Sequence, residues 1–105
     1  MKAPKLSELV KLDDAAFRAF FSGSPVKRIG RNKFVSNVLI AIGNSGDLEL
    51  AKDAEPLLSD EAPLVRAMAV WALRKLVTDE TFDQLAKQHM ICEHDAMVLE
   101  EWENA

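Results

Sequence analysis

One apolar pattern occurs twice in this chain, 31 residues apart, and that echo limits the fold more than any other feature. Phe34, Val38 and Ala41-Ile42 in one segment correspond to Val65, Ala69 and Ala72-Leu73 in the next. In the second segment Val65, Met68, Ala69, Ala72, Leu73 and Leu76 fall at i, i+3, i+4, i+7, i+8 and i+11, a broad apolar face of an α-helix. A repeat of this length holds a helix, a tight turn and a second helix, and it cannot cover its own apolar face. Stacking against neighbours does so. The pattern therefore predicts an all-α protein, an α-solenoid of about six to seven helices whose terminal helices are atypical caps. No segment alternates apolar and polar residues well enough to be read as a strand.

Punctuation along the chain places the helices. Leu6–Leu12 is a short one, and Asp13 or Asp14 caps a second over Ala15–Phe21, anchored by Phe17, Phe20 and Phe21. Ser24 as N-cap with Pro25 in the first helical position starts a segment that Gly30 interrupts. A longer helix follows from about Arg31 to Ile42, closed by Gly43-Asn44-Ser45-Gly46, where glycine tolerates the left-handed cap conformation. Asp47 caps Leu48–Leu58, Pro63 opens Leu64–Leu76, Asp79 caps Thr81–Met90, and an acidic last helix covers Glu93–Glu103 with Met97, Val98 and Trp102. The units are an N-terminal part (1–30), a first repeat (31–59), a second repeat (60–91) and a capping helix (92–105), all within one domain.

A chain of 105 residues with 49% hydrophobic content can bury a core without disulfides or metals. The longest apolar stretch, Val38–Ile42, is too short to cross a membrane, and no apolar run follows Lys2, Lys5 and Lys11 to make a secretory signal. One cysteine, Cys92, excludes a disulfide framework and fits a reducing cytoplasm.

The net charge of -4 conceals an asymmetry. Residues 1–34 hold eight bases against three acids, a balance of +5, while the remainder holds five bases against fourteen acids, a balance of -9. No acid occurs between Ala15 and Ser45. Lys27, Arg28, Arg31 and Lys33 crowd into seven positions of that stretch. If the segment is helical, Lys27 and Arg31 share a face at i, i+4 and Arg28 joins them, a spacing that repels unless an anion is bound. Arginine offers bidentate contacts to phosphate, lysine a point charge, and the helix start at Ser24-Pro25 adds backbone N–H groups. A polyanion is the expected ligand, with a solvated surface face as the bland alternative. Lys33, Asn37 and Asn44 lie on one helical row with small Ala41 between them; Asn44 reads as a cap, and Asn37 serves equally well as an RNA contact or a bond to a neighbouring helix. Arg18 extends the patch or lies along Phe21.

Two stretches carry a resemblance. Pro63-Leu64-Val65-Arg66 with Ala69, Ala72-Leu73 and Leu76 resembles a HEAT-like repeat of the phycobilisome-lyase type. Leu12-Asp13-Asp14-Ala15-Ala16-Phe17-Arg18, Phe21-Ser22-Gly23-Ser24-Pro25-Val26-Lys27-Arg28-Ile29-Gly30-Arg31 and Asn37-Val38-Leu39-Ile40-Ala41-Ile42-Gly43-Asn44-Ser45-Gly46 resemble the C-terminal region of the epoxyqueuosine reductases. The resemblance spans about residues 3–80. It implies a tRNA partner, because enzymes of that family reduce epoxyqueuosine to queuosine in tRNA with cobalamin and two [4Fe–4S] clusters. Cluster ligation needs several spaced cysteines, so the resemblance implies the C-terminal helical-repeat domain alone, without a cofactor of its own and beside a catalytic cobalamin and iron–sulfur domain. Where family members often carry arginine before the Asn-Val pair, this chain has Ser36.

Other residue groups point to structure. His89, Cys92 and His94 lie close together but lack the second ligand pair of a zinc site. Asp60 and Arg66 read as an ion pair between repeats, Trp71 and Trp102 as core anchors, and Glu100, Glu101 and Glu103 as a solvated cap. No catalytic constellation is present. The expected function is non-catalytic, monomeric, cytoplasmic binding of the tRNA anticodon arm through Arg18, Ser24, Lys27, Arg28, Arg31, Lys33 and Asn37. A HEAT-like scaffold for protein partners is the alternative.

Overall fold

Two fourteen-residue helices that run side by side in the same direction form the centre of the molecule: α3 (Arg31–Asn44) and α5 (Pro63–Leu76). The computed structural model describes residues 5–104, so Lys2 lies outside the described residues. At one end Arg31 of α3 bonds to Asp60, just before α5 begins; at the other, Lys75 of α5 bonds to Asn44. The 31-residue step is visible in the burial of most paired positions, although Ala41 is exposed where Ala72 is buried and Phe34 is half-buried where Val65 is buried. Ser36, Val38, Leu39 and Ile42 are buried on α3, and their counterparts Ala67, Ala69, Val70 and Leu73 are buried on α5.

The remaining elements build on this pair. They are α1 (Leu6–Leu9), α2 (Asp14–Phe20), α4 (Ala51–Ala54), α6 (Asp79–His89), α7 (Ala96–Glu103), and 3-10 turns over Pro25–Ile29, Leu48–Leu50, Glu55–Ser59 and Met90–Cys92. Every regular element among the described residues is helical. The helix α7 and the 3-10 turn at Glu55–Ser59 also pack on α5, which buries Ala67 and Val70 in addition to the predicted face. The buried face of α5 is wider than the apolar stripe predicts, because α3, α7 and that turn pack on it from different sides. Val98 and Trp102 seal the α7 side, and Trp102 packs on Phe82 with ring centroids 5.2 Å apart.

Several boundaries differ from expectation for identifiable reasons. The segment expected as one helix over Leu48–Leu58 is 3-10, α and 3-10 in succession. Pro56 has no N–H to give to the preceding turn, so the backbone tightens there. Asp47 does cap its start, accepting a bond from the Glu49 N–H at 3.0 Å. The cap of α6 is Thr78, whose hydroxyl accepts from Thr81 N–H; Asp79 is the first helical residue and places its charge at the positive end of the helix. The helix α7 starts at Ala96 rather than Glu93, because Asp95 takes the Met97 and Val98 N–H groups.

Gly43 also has a different role from the one its neighbours suggested. The left-handed backbone falls at Gly46 (φ 69°), whereas Gly43 is helical and lies against Trp71. A Cβ there would stand 2.5 Å from Trp71 Cζ3 and 3.1 Å from Ala72 Cα. The absence of a side chain is what lets α3 and α5 approach so closely.

At the N-terminal end, Phe17, Phe21 and Phe34 make an aromatic cluster with centroid separations of 4.8–5.4 Å. Phe34 joins it to the main core. Phe20, expected as a third anchor of α2, is exposed, although its ring edge meets Phe21.

Candidate nucleic-acid interface

The basic stretch enters α3 through a tight turn. Ser24 caps it, its Oγ accepting a bond from Val26 N–H at 3.2 Å, and Pro25 occupies the first position as expected. The turn is 3-10 and only five residues long, and Gly30 (φ 82°) ends it. Lys27 and Arg31 therefore lie on two separate elements, and the i, i+4 face expected for them does not form. The N–H groups expected to face phosphate are also occupied. Pro25 has none, Val26 gives its own to Ser24 Oγ, and Lys27 gives its own to the Ser24 carbonyl at 3.1 Å. The first turn of α3, by contrast, has no side-chain cap.

Arg31 is engaged within the protein. Its Nη1 and Nη2 bond to the two carboxylate oxygens of Asp60 at 2.9 and 2.8 Å, and its Nε bonds to the Leu12 carbonyl at 2.8 Å. Both side chains are nearly covered, at 13% and 11% exposure. The cleft beside them, about 540 Å³, is lined by Asp13, Asp14, Asp60 and Glu61 as well as Arg31. A phosphate would meet four carboxylates there, so Arg31 clamps the turn to the fold instead of facing a polyanion.

Asp60 and Arg66 are not each other's carboxylate–guanidinium partners. Arg66 pairs with Glu93 through Nε and Nη2 at 2.8 and 3.0 Å, while its Nη1 bonds to the Asp60 and Glu61 carbonyls. Two parallel clamps result, Arg31–Asp60 and Arg66–Glu93, one on each long helix. Burial pushes the Asp60 carboxyl up, but the Arg31 bond, the Ala62 N–H and the charges of Arg31 and Arg66 together hold it below its ordinary value. Glu93 is likewise lowered, with burial outweighed by Arg66 and by the Asp95 and His94 N–H groups. The bond to Glu93 raises Arg66 in turn.

Within the basic stretch the cations left at the surface are Lys27, Arg28 and Lys33, which make no ion pair among the described residues. Arg18 is exposed and pairs with Asp14 one turn earlier at 3.1 Å, which dilutes its charge. Asn37 is exposed on the outer row of α3 with Lys33 and Asn44. Ser36 is 3% exposed and donates to the Asn32 carbonyl at 2.7 Å, so that position points inward and offers no phosphate contact. Lys75 was not singled out in the sequence, yet its Nζ donates to Asn44 Oδ1 at 3.1 Å and lies 4.9 Å from the centre of the half-buried Trp71 ring. The signal for it was available, since Lys75 follows Asn44 by 31 residues.

His89, Cys92 and His94 line a shallow cleft of about 360 Å³ with Arg66 and Glu93, and His89 stacks on Trp102. Among the described residues no group of three or more histidines, cysteines and carboxylates is arranged to hold a metal ion. Among the described residues no helix is long and apolar enough to cross a membrane.

Comparison with known proteins bears out the similarity read in the sequence. The chain is 29% identical over 83 residues to an epoxyqueuosine reductase of Alicycliphilus denitrificans, covering 70% of this chain and 22% of that protein. It is 32% identical over 69 residues to an epoxyqueuosine reductase of Xanthomonas campestris pv. campestris, covering 65% of this chain and 19% of that protein. The chain thus spans about a fifth of the length of these curated relatives. No family model matches it, and no solved structure does.

Proposed function

We propose that this chain is a HEAT-like, tRNA-binding domain of an epoxyqueuosine reductase, and that it acts as a monomer in the cytoplasm by positioning the anticodon arm without doing chemistry. Similarity to two reductases over most of this chain and a small part of theirs supports an accessory domain. The parallel stacking of α3 and α5 at a 31-residue step supports the HEAT-like assignment. Cobalamin and cluster chemistry then belong to residues outside this chain.

The observation that carries the RNA reading is the unpaired trio Lys27, Arg28 and Lys33, in a stretch without acids and beside the uncapped start of α3. Cations left unpaired by the fold are free to neutralise phosphates, and the positive end of a helix favours the same ligand. Arg18 and Asn37 flank the trio. Ser24 and Arg31 hold it in place, Ser24 by capping the turn and Arg31 by fixing its far end to Leu12 and Asp60.

Three phosphate contacts to a duplex stem set a slope near -2.7 in log K against log salt, so affinity falls about 40-fold between roughly 50 and 200 mM salt. The test is tRNA binding by the wild type and by the triple variant Lys27→Glu, Arg28→Glu, Lys33→Glu, followed by fluorescence anisotropy across that salt range. The variant should lose binding and retain its helical circular dichroism. Undiminished binding by a folded triple variant would refute the assignment.

A further inference from the structure

The outer row of α3 has a counterpart on α5. Lys33, Asn37, Ile40 and Asn44 correspond, at the 31-residue step, to Leu64, Met68, Trp71 and Lys75. The α3 row is exposed, and on α5 Leu64 and Lys75 are exposed while Met68 and Trp71 are half-buried. The helices run in parallel, and the contacts of Gly43 with Trp71 and of Asn44 with Lys75 bring the two rows together at their C-terminal ends. Neither helix contains an acid, and the other α5 cations, Arg66 and Arg74, are turned away into pairs with Glu93 and Glu101.

We infer that this double row is a second contact surface for a nucleic-acid strand, continuous with the basic turn through Lys33, with Lys75 meeting a phosphate and Trp71 offering its ring to a base. The inference rests on the tRNA-binding reading above and adds a partner for the unpaired loop instead of the stem. Such surfaces combine a cationic path with an aromatic face on which a base stacks whatever its identity. Lys75 suits the role because little holds it: its Nζ bonds to one exposed amide oxygen and lies over the indole. Moving to a phosphate gives it a full counter-charge and uncovers the ring. Asn37 and Asn44 supply neutral donors and acceptors between the two cations. The row extends from Lys33 to Asn44, about 17 Å at 1.5 Å per residue, long enough for several nucleotides.

Tryptophan emission tests this directly, because Trp102 is buried and Trp71 is the partly exposed indole. Titration of the full chain with a tRNA anticodon stem-loop should quench emission, and Trp71→Phe should abolish the quench while the stem-loop still binds. Lys75→Gln should lower the salt slope by roughly 0.7 and leave the fold intact, since the side chain is exposed. If Lys75→Gln binds with an unchanged slope and emission is unquenched, while the Lys27, Arg28 and Lys33 reversals abolish binding, the second surface is refuted and the basic turn stands. If the wild type binds no stem-loop even at low salt, both fall. Equal quenching by polyglutamate would assign the face to acidic protein segments and overturn the nucleic-acid inference.

Discussion

Replacing Arg31 by glutamine separates a structural role for this residue from a phosphate-binding one. The substitution removes a bidentate pair with Asp60 and the bond to Leu12 O, three contacts of 2.8–2.9 Å. Hydrogen bonds to charged groups contribute about 1.5–3 kcal/mol each, and breaking one partner of a buried ion pair costs about 3–5 kcal/mol. The pair keeps a little solvent contact, and glutamine restores at most one bond, so a loss of about 2–4 kcal/mol is expected. For a domain of this size that lowers Tm by roughly 10–20 °C. Thermal and urea unfolding followed by circular dichroism would measure it, and a double-mutant cycle with Asp60→Asn would show strong coupling between the two sites. Arg28→Gln, on an unpaired surface side chain, should change stability by less than about 0.5 kcal/mol. If Arg31→Gln is equally harmless to stability but weakens tRNA binding as much as Arg28→Gln does, Arg31 is a ligand contact and the clamp has been misjudged.

Two further outcomes test the core and the clamps. Gly43→Ala brings about 1 kcal/mol of helix propensity but pushes a methyl into Trp71 and the Ala72 backbone, an overpacking cost of about 1–3 kcal/mol; urea unfolding should show net destabilisation, and a more stable variant would mean the helices can separate freely. Asp60 and Glu93 are both lowered in the folded state, so their stabilising effect is complete above the ordinary carboxylate range and is lost as pH falls through their lowered values. The urea midpoint should therefore drop on acidification, and drop less in the Asp60→Asn, Glu93→Gln double variant; the same dependence in both proteins would contradict the clamps.

Much of the fold was legible in the sequence because its determinants are local or periodic. Pro63, Asp47 and Ser24 act at the termini where their chemistry placed them, and the 31-residue echo marks the two helices that stack. What escaped was pairwise. Nothing in the local pattern shows that Asp60 takes Arg31 instead of Arg66, that Ser36 points inward, or that Gly43 is small for the sake of Trp71. These depend on which residues 28 to 31 positions away come into contact. The candidate site shows the same division: the basic stretch stands out by composition, but which of its cations remain unpaired is decided by acids far along the chain.

The aromatic cluster at the N-terminal end has a consequence for how the molecule opens. Phe17 and Phe21 stack on Phe34, which packs against the main core, and the turn carrying Lys27 and Arg28 lies between that cluster and the Arg31 clamp. Opening residues 13–29 as a unit exposes the buried Phe17, a cost of about 1.5–3 kcal/mol, and uncovers Phe34, while the packing of α5 on α3 and α7 is untouched. Amide exchange would follow two regimes, with shallow protection over residues 13–29 and deep protection from Val35 onward. Closing that hinge on a bound strand would protect the first set without altering the second.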